Sequence, residues 1–124
     1  VADRGATPGW DIDPLDELRM LLSSVPRRIL AYRDPVDMRK LFTGLIGVVQ
    51  SRLSEDPLDS TLFVFINRRG NFLKLLTWDR TGYVLLAKRL EHGRFQLPSD
   101  DQKQLLTEQV LKLILDGIVL GKRR

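Results

Sequence analysis

The hydrophobic period of this chain changes between residues 53 and 62, and that change most constrains the fold. Before it, Met38, Leu41, Phe42, Leu45, Ile46, Val49 and Leu53 recur at helical spacing, which predicts one amphipathic helix. After it, apolar residues come in short runs split by glycine-bearing turns. Leu62–Ile66, Phe72–Trp78 and Tyr83–Leu90 read as three strands. Asn67–Asn71 and Asp79–Gly82 read as their hairpin loops, with Gly70 placed to take a positive φ. Consecutive hairpins make an antiparallel meander.

The flanks add further elements. Residues 27–33 suit a half-buried strand. Asp34 is placed to N-cap the first helix, with Pro35 at its first position and Asp37 facing its positive end. Asp56-Pro57 stops that helix. Gly44 and Gly47 lie inside it, each costing up to about 1 kcal/mol against Ala, which suggests close packing on another element. Arg94–Leu97 is a candidate short fourth strand. Ser99 with Gln102 three residues on has capping-box form and predicts a second helix running to about Asp116. Its apolar face would be Leu105, Leu106, Val110, Leu113 and Ile114, with Gly117 as C-terminal cap. Ile118–Leu120 then dock or pair. The fold expected is α+β: an antiparallel β-meander of three to five strands packed with two main α-helices. Residues 1–26 read as a weakly ordered N-terminal extension, with Met20 a candidate natural start. Residues 27–120 form the single domain, and 121–124 a basic tail.

Composition narrows the chemistry. The chain has no cysteine, so disulfides, thiolate metal sites and a Cys nucleophile are excluded. No apolar run approaches the roughly 18 residues of a membrane helix, and no leader peptide is recognisable, so a cytoplasmic, membrane-free protein is expected. His92 is the sole histidine and follows a strand beside Gly93, where a turn role suits it. Asp79 and Glu91 are the sole acids between residues 64 and 98. They flank opposite ends of the third strand, roughly 25–30 Å apart, too far to share a metal. No phosphate-binding loop, dinucleotide fingerprint or nucleophile elbow is present. The expectation is a protein that binds and is not an enzyme, with no metal and no cofactor.

Charge points to what it binds. The net charge is +4, and residues 64–98 carry seven Lys/Arg against two acids. The meander brings Arg68, Arg69, Lys88, Arg89 and Arg94 to one end of the sheet, with Arg80 at the other end and Lys74 mid-strand. Such an end could hold phosphates and release counterions. It could equally be a solvated sheet end, with Arg chosen for solubility and for pairing Glu91. Phe72, Trp78, Tyr83 and Phe95 could stack on bases, or fill the core as Phe63 and Phe65 do.

The ordered motifs Asp37-Met38-Arg39-Lys40, Gly44-Leu45, Asp56-Pro57, Leu62–Phe65, Arg68-Arg69-Gly70, Lys74-Leu75-Leu76, Trp78-Asp79, Lys88–Glu91, Gly93-Arg94-Phe95 and Asp116-Gly117-Ile118 resemble the IS-66 family of insertion-sequence accessory proteins, the products of the second open reading frame. The likeness runs from about residue 27 to the end. Leu41-Phe42-Thr43 departs from the Gly-Phe-acid order of many relatives. The resemblance implies an accessory role in transposition beside a separate transposase, with contact to transposon DNA and supplying no catalytic residue. It marks Arg68, Arg69, Lys74, Lys88, Arg89 and Arg94 as candidates for nucleic acid, and Arg39 and Lys40 for a partner protein. The alternative is an adaptor that assembles with the transposase, or with itself as a homo-oligomer, without touching DNA.

Overall fold

The computed structural model describes residues 28–117. The elements are β1 (Ile29–Tyr32), α1 (Phe42–Ser51), β2 (Leu62–Ile66), β3 (Phe72–Trp78), β4 (Tyr83–Arg89), β5 (Lys103–Leu106) and α2 (Glu108–Leu115). The expected leader, the start at Met20, the Ile118–Leu120 segment and the tail lie outside the described residues.

The architecture is α+β, as the period change requires. The β2–β3–β4 meander has the expected limits to within a residue, and both pairings are antiparallel. The full sheet runs β4-β3-β2-β1-β5. β1 and β2 pair in parallel, joined through α1, and β5 returns antiparallel on the far side of β1. The sheet is therefore mixed. Helices cover both its faces, which is why β1 and β2 are apolar without alternation and buried at every position.

Two cores result. On one face Leu45, Val49 and Leu53 pack on Leu30, Tyr32, Phe63, Phe65 and Leu76. On the other Leu111, Ile114 and Leu115 pack on Ile29, Ala31, Leu62, Val64, Leu73 and Leu75. Residues alternate between the two along each strand, so a one-residue slip of register would exchange the cores.

Both helix starts differ from expectation. α1 begins at Phe42, with Leu41 at the cap position and no side-chain cap. Asp34 instead accepts from the Gln102 amide at 2.7 Å and from the Tyr32 hydroxyl at 3.3 Å. The Val36 amide donates to the Ile66 carbonyl at 3.0 Å, holding residues 35–36 against the end of β2. The carbonyls of Met38 and Lys40 accept from the Lys74 ammonium at 2.7 and 2.8 Å. Tertiary partners thus take the backbone groups a longer helix would have used.

The second helix is shorter for a similar reason. Ser99 to Gln102 is a turn, held by the Gln104 amide on the Ser99 and Asp101 carbonyls, both at 2.7 Å. Residues 103–106 then form β5, which covers the edge of β1 that would otherwise be unpaired and apolar. Thr107 supplies the real cap, its hydroxyl accepting from the Val110 amide at 3.1 Å. Leu105 and Leu113, expected on the buried face, are 68% and 42% exposed. Arg94–Leu97 is no strand. The Phe95 amide donates to the Gly70 carbonyl at 2.7 Å and its ring is buried, so the segment crosses the hairpin tip. The nearest approach to Gly44 is the stem of Lys40, while Gly47 faces open space.

Candidate functional site

The parallel pair decides where the basic residues go. The C-terminal ends of β1 and β2 lie side by side, and in open α/β sheets that end forms the crevice where ligands collect. Directly after β1 comes Arg33. From the loop after β2 come Arg68 and Arg69. The crossing segment adds Arg94. Together with Pro35, Asn67, Ser99 and Asp100 they line one concavity of about 380 Å³. A second concavity of about 320 Å³ adjoins it across Pro35 and Arg68 and adds Lys40 and Arg52, with Asp34 and Asp37 as its acids.

The loop carrying Arg68 and Arg69 is tightly built. The Asn67 carbonyl accepts from the Gly70 amide at 3.0 Å, the Asn67 side chain accepts from the Phe72 amide at 3.1 Å, and its amide donates to Asn71 at 3.0 Å. Gly70 has φ +77, a left-handed conformation that a side chain resists. A Cβ there would sit 3.5 Å from the Arg94 stem. The loop therefore packs against the stem of Arg94, whose segment is tied to it by the Phe95 amide on the Gly70 carbonyl.

Charges around the site are unevenly neutralised. Among the described residues Arg68, Arg69 and Arg94 have no carboxylate partner. Arg33 has a loose one, Asp100 at 3.7 Å, whose own side chain is fully exposed. Such a pair contributes little, about 0–1 kcal/mol.

The other candidates separate. Arg89 lies at the same sheet end, opposite Phe72, but on the α1 face and 3.8 Å from Glu91. Lys88 points to the α2 face and donates to the Leu115 carbonyl at 2.7 Å, closing the C-terminal turn of α2. Lys74 is 5% exposed and its ammonium is taken by the two carbonyls before α1. The sheet end therefore does not gather Lys88 with the arginines, and Lys74, mid-strand as expected, is taken up inside the fold. Arg39 is exposed but bound to Asp37, with Nε 3.1 Å from both carboxylate oxygens and Nη2 at 2.7 Å. Those hydrogen bonds hold the Asp37 carboxyl well below its ordinary value, at about 2. Lys40 is exposed and opens on the second concavity.

Arg33 and Arg52 were missed from the sequence. Arg33 closes a strand whose parallel pairing with β2 leaves no local signal. Arg52 follows α1 and is indistinguishable in sequence from any solvated helix end.

The aromatic rings do not line the arginine concavity, apart from Phe95, which is buried in the core. Trp78 and Tyr83 meet edge to face at 5.1 Å at the opposite end of the sheet. Asp79 organises the second hairpin, accepting from the Thr81 amide and hydroxyl and the Gly82 amide at 3.2–3.3 Å. Those bonds, the Thr81 amide first, lower its pKa. Among the described residues no three His, Cys, Asp or Glu side chains cluster as metal ligands. None of the described helices is long and apolar enough to cross a membrane.

Comparison with known proteins supplies the context for this geometry. Residues 27–124 match the family model of IS66 Orf2-like proteins. The uncharacterized protein y4hO of Sinorhizobium fredii (strain NBRC 101917 / NGR234) is 38% identical over 100 residues, covering 80% of this chain and 87% of that protein. The uncharacterized protein y4jC of the same strain is 39% identical over 71 residues, 57% of this chain. That match spans 61% of y4jC, under two thirds of its length. No solved structure matches the chain significantly. The family match, running from the start of the sheet domain through residue 124, assigns the chain to the IS66 Orf2-like family, the TnpB accessory proteins of transposition in IS66 insertion sequences.

Proposed function

We propose that this accessory protein contacts the phosphate backbone of transposon DNA through the crevice at the C-terminal ends of β1 and β2. The observation that carries the reading is the concavity shared by Arg33, Arg68, Arg69 and Arg94, with Asp100 as its one acid. Guanidinium groups match phosphate oxygens in bidentate fashion. Arg68, Arg69 and Arg94, with no carboxylate partner among the described residues, have no ion pair there to break before meeting a phosphate, and ordering each side chain costs about 0.5–1.5 kcal/mol. Lys40 and Arg52 extend the basic surface past Arg68, so a strand could follow it across both concavities. Phosphate contact of this kind positions a protein and reads little sequence. The protein acts in this reading by binding, with the chemistry left to the transposase.

The test is fluorescence anisotropy with labelled duplex and single-stranded DNA across a salt series. Four to six phosphate contacts give a logarithmic salt slope of about −4 to −5 on duplex DNA. Binding that ignores salt would refute the reading. Asp100→Asn gives a second, opposite sign. Removing the acid from the arginine concavity strengthens DNA binding about three-fold at low salt, an electrostatic effect below about 1 kcal/mol. Unchanged or weaker binding would place the DNA elsewhere.

A second reading has its own observation. Leu41 and Phe42 are 61% and 43% exposed, adjacent, and directly follow Arg39 and Lys40. Neighbouring exposed apolar groups rimmed by charge suit a protein partner, here the transposase. In a nuclease-treated pull-down, the double change Leu41→Ser and Phe42→Ser is expected to reduce transposase recovery at least five-fold. Equal recovery would remove this surface from consideration.

A further inference from the structure

The two edges of the sheet are treated differently. β5 is four residues long and begins with Lys103, whose ammonium donates to the Leu53 carbonyl at 2.9 Å and pairs with Glu55. Short, charge-bearing edges are the usual protection against unwanted strand pairing. β4 is seven residues long, Tyr83-Val84-Leu85-Leu86-Ala87-Lys88-Arg89, and has no proline. Its Lys88 ammonium is drawn away to the Leu115 carbonyl, so Arg89 at the last position is the one charge left on the strand's open side. Tyr83 to Leu86 are only partly covered.

The phase of the open edge follows from two bonds. The Leu90 amide donates to Asn71 at 2.8 Å, and the Asp79 amide to Gly82 at 3.0 Å. Even-numbered residues of β4 therefore turn their backbone groups to β3. Tyr83, Leu85, Ala87 and Arg89 turn theirs outward. Among the described residues no backbone bond outside the ladder engages those four.

We propose that β4 pairs antiparallel with β4 of a second copy of this chain, about a two-fold axis at Leu86, making one continuous sheet across the dimer. The strand is self-complementary in that register. Leu86 meets the partner's Leu86 as a pair without hydrogen bonds, as its inward-turned backbone requires. Leu85 and Ala87 exchange bonds with the partner's Ala87 and Leu85. Tyr83 lies opposite the partner's Arg89, on the same face of the sheet, an aromatic and a guanidinium suited to cation–π contact. Lys88 lies opposite the partner's Val84, so no like charges face each other. A register centred on Lys88 would set Lys88 against the partner's Lys88. The register at Leu86 also overlaps all seven residues, the most the strand allows. It leaves the crevice at Arg33, Arg68, Arg69 and Arg94 open.

Light scattering on the full chain is expected to give twice the 14.3 kDa of one copy. In hydrogen exchange the amides of Tyr83 and Leu85 are protected, and they lose protection on dilution. Ala87→Pro removes an outward donor that the β3–β4 ladder does not use, a position where an edge strand tolerates proline. This variant is expected to run as a monomer with an unchanged far-ultraviolet circular dichroism spectrum. A wild-type chain of 14.3 kDa overturns the proposal. So does a dimer in which the Tyr83 and Leu85 amides exchange freely, whether or not the proline variant folds. Protection of those amides that arises only when transposase is added would assign the edge to another protein's strand, and would equally overturn self-pairing.

Discussion

Changing Arg68, Arg69 and Arg94 together to alanine is expected to weaken DNA binding about 100-fold at 50 mM salt. Each exposed guanidinium is worth about 1 kcal/mol on a phosphate, and three give about 3 kcal/mol. The salt slope should shrink by about 2.7, since each lost contact removes about 0.9. The slope is the sharper measurement, because it counts contacts and is insensitive to a small loss of active protein. Stability should scarcely change, because none of the three has a carboxylate partner among the described residues. An unaltered slope at reduced affinity would mean that the arginines act on the loop and not on phosphate. Lys88→Met serves as the comparison. That ammonium is already taken by the Leu115 carbonyl, so its loss should spare the slope and lower stability.

Lys74→Met is expected to destabilise the fold by about 3 kcal/mol. Methionine keeps most of the stem, so the packing loss is small. What disappears is a buried cation donating to the carbonyls of Met38 and Lys40. Hydrogen bonds to charged groups contribute about 1.5–3 kcal/mol each, and two carbonyls are left without that donor. For a domain of this size the shift in Tm is about 10 °C. Urea unfolding followed by circular dichroism measures it. A change under about 0.5 kcal/mol would mean that water replaces the ammonium freely at this site. DNA binding by the folded fraction should persist, apart from any contribution of Lys40, whose position depends on this clasp.

The two lysines show what the sequence could and could not say about the site. In a strand reading, Lys74 and Lys88 are charges on a sheet and belong with the arginines. Their fate depends on which face each points to and on what lies within reach of about 6 Å of methylene stem. Lys74 finds the uncapped approach to α1, and Lys88 finds the end of α2. Neither neighbour is close in sequence. Arg68 and Arg69 were legible, because a hairpin tip between two strong strands has one place to be. Arg94 was legible in position but for a different reason. It reaches the site on a segment tied to Gly70, and no strand carries it there.

The elements divide along the same line. The meander was readable because both its pairings are local and its turns carry their own chemistry. The helix ends were misread wherever a distant partner took the backbone groups. Ser99 with Gln102 has a sound capping pattern, yet β1 needed an edge partner and residues 103–106 supplied it. Hydrophobic burial and sheet pairing outweigh a cap worth about 1 kcal/mol.

By itself, then, the order of residues determined an α+β domain, the hairpins and their glycine turns, an excess of positive charge between residues 64 and 98, and the family. Only the tertiary structure decided that β1 lies parallel to β2 and beside β5. That pairing carries Arg33 to the arginine loop, turns two lysines into structural clasps and leaves β4 as the open edge among the described residues. Local signals act through neighbouring residues, whereas parallel pairing and the choice of sheet edge depend on contacts between residues tens of positions apart.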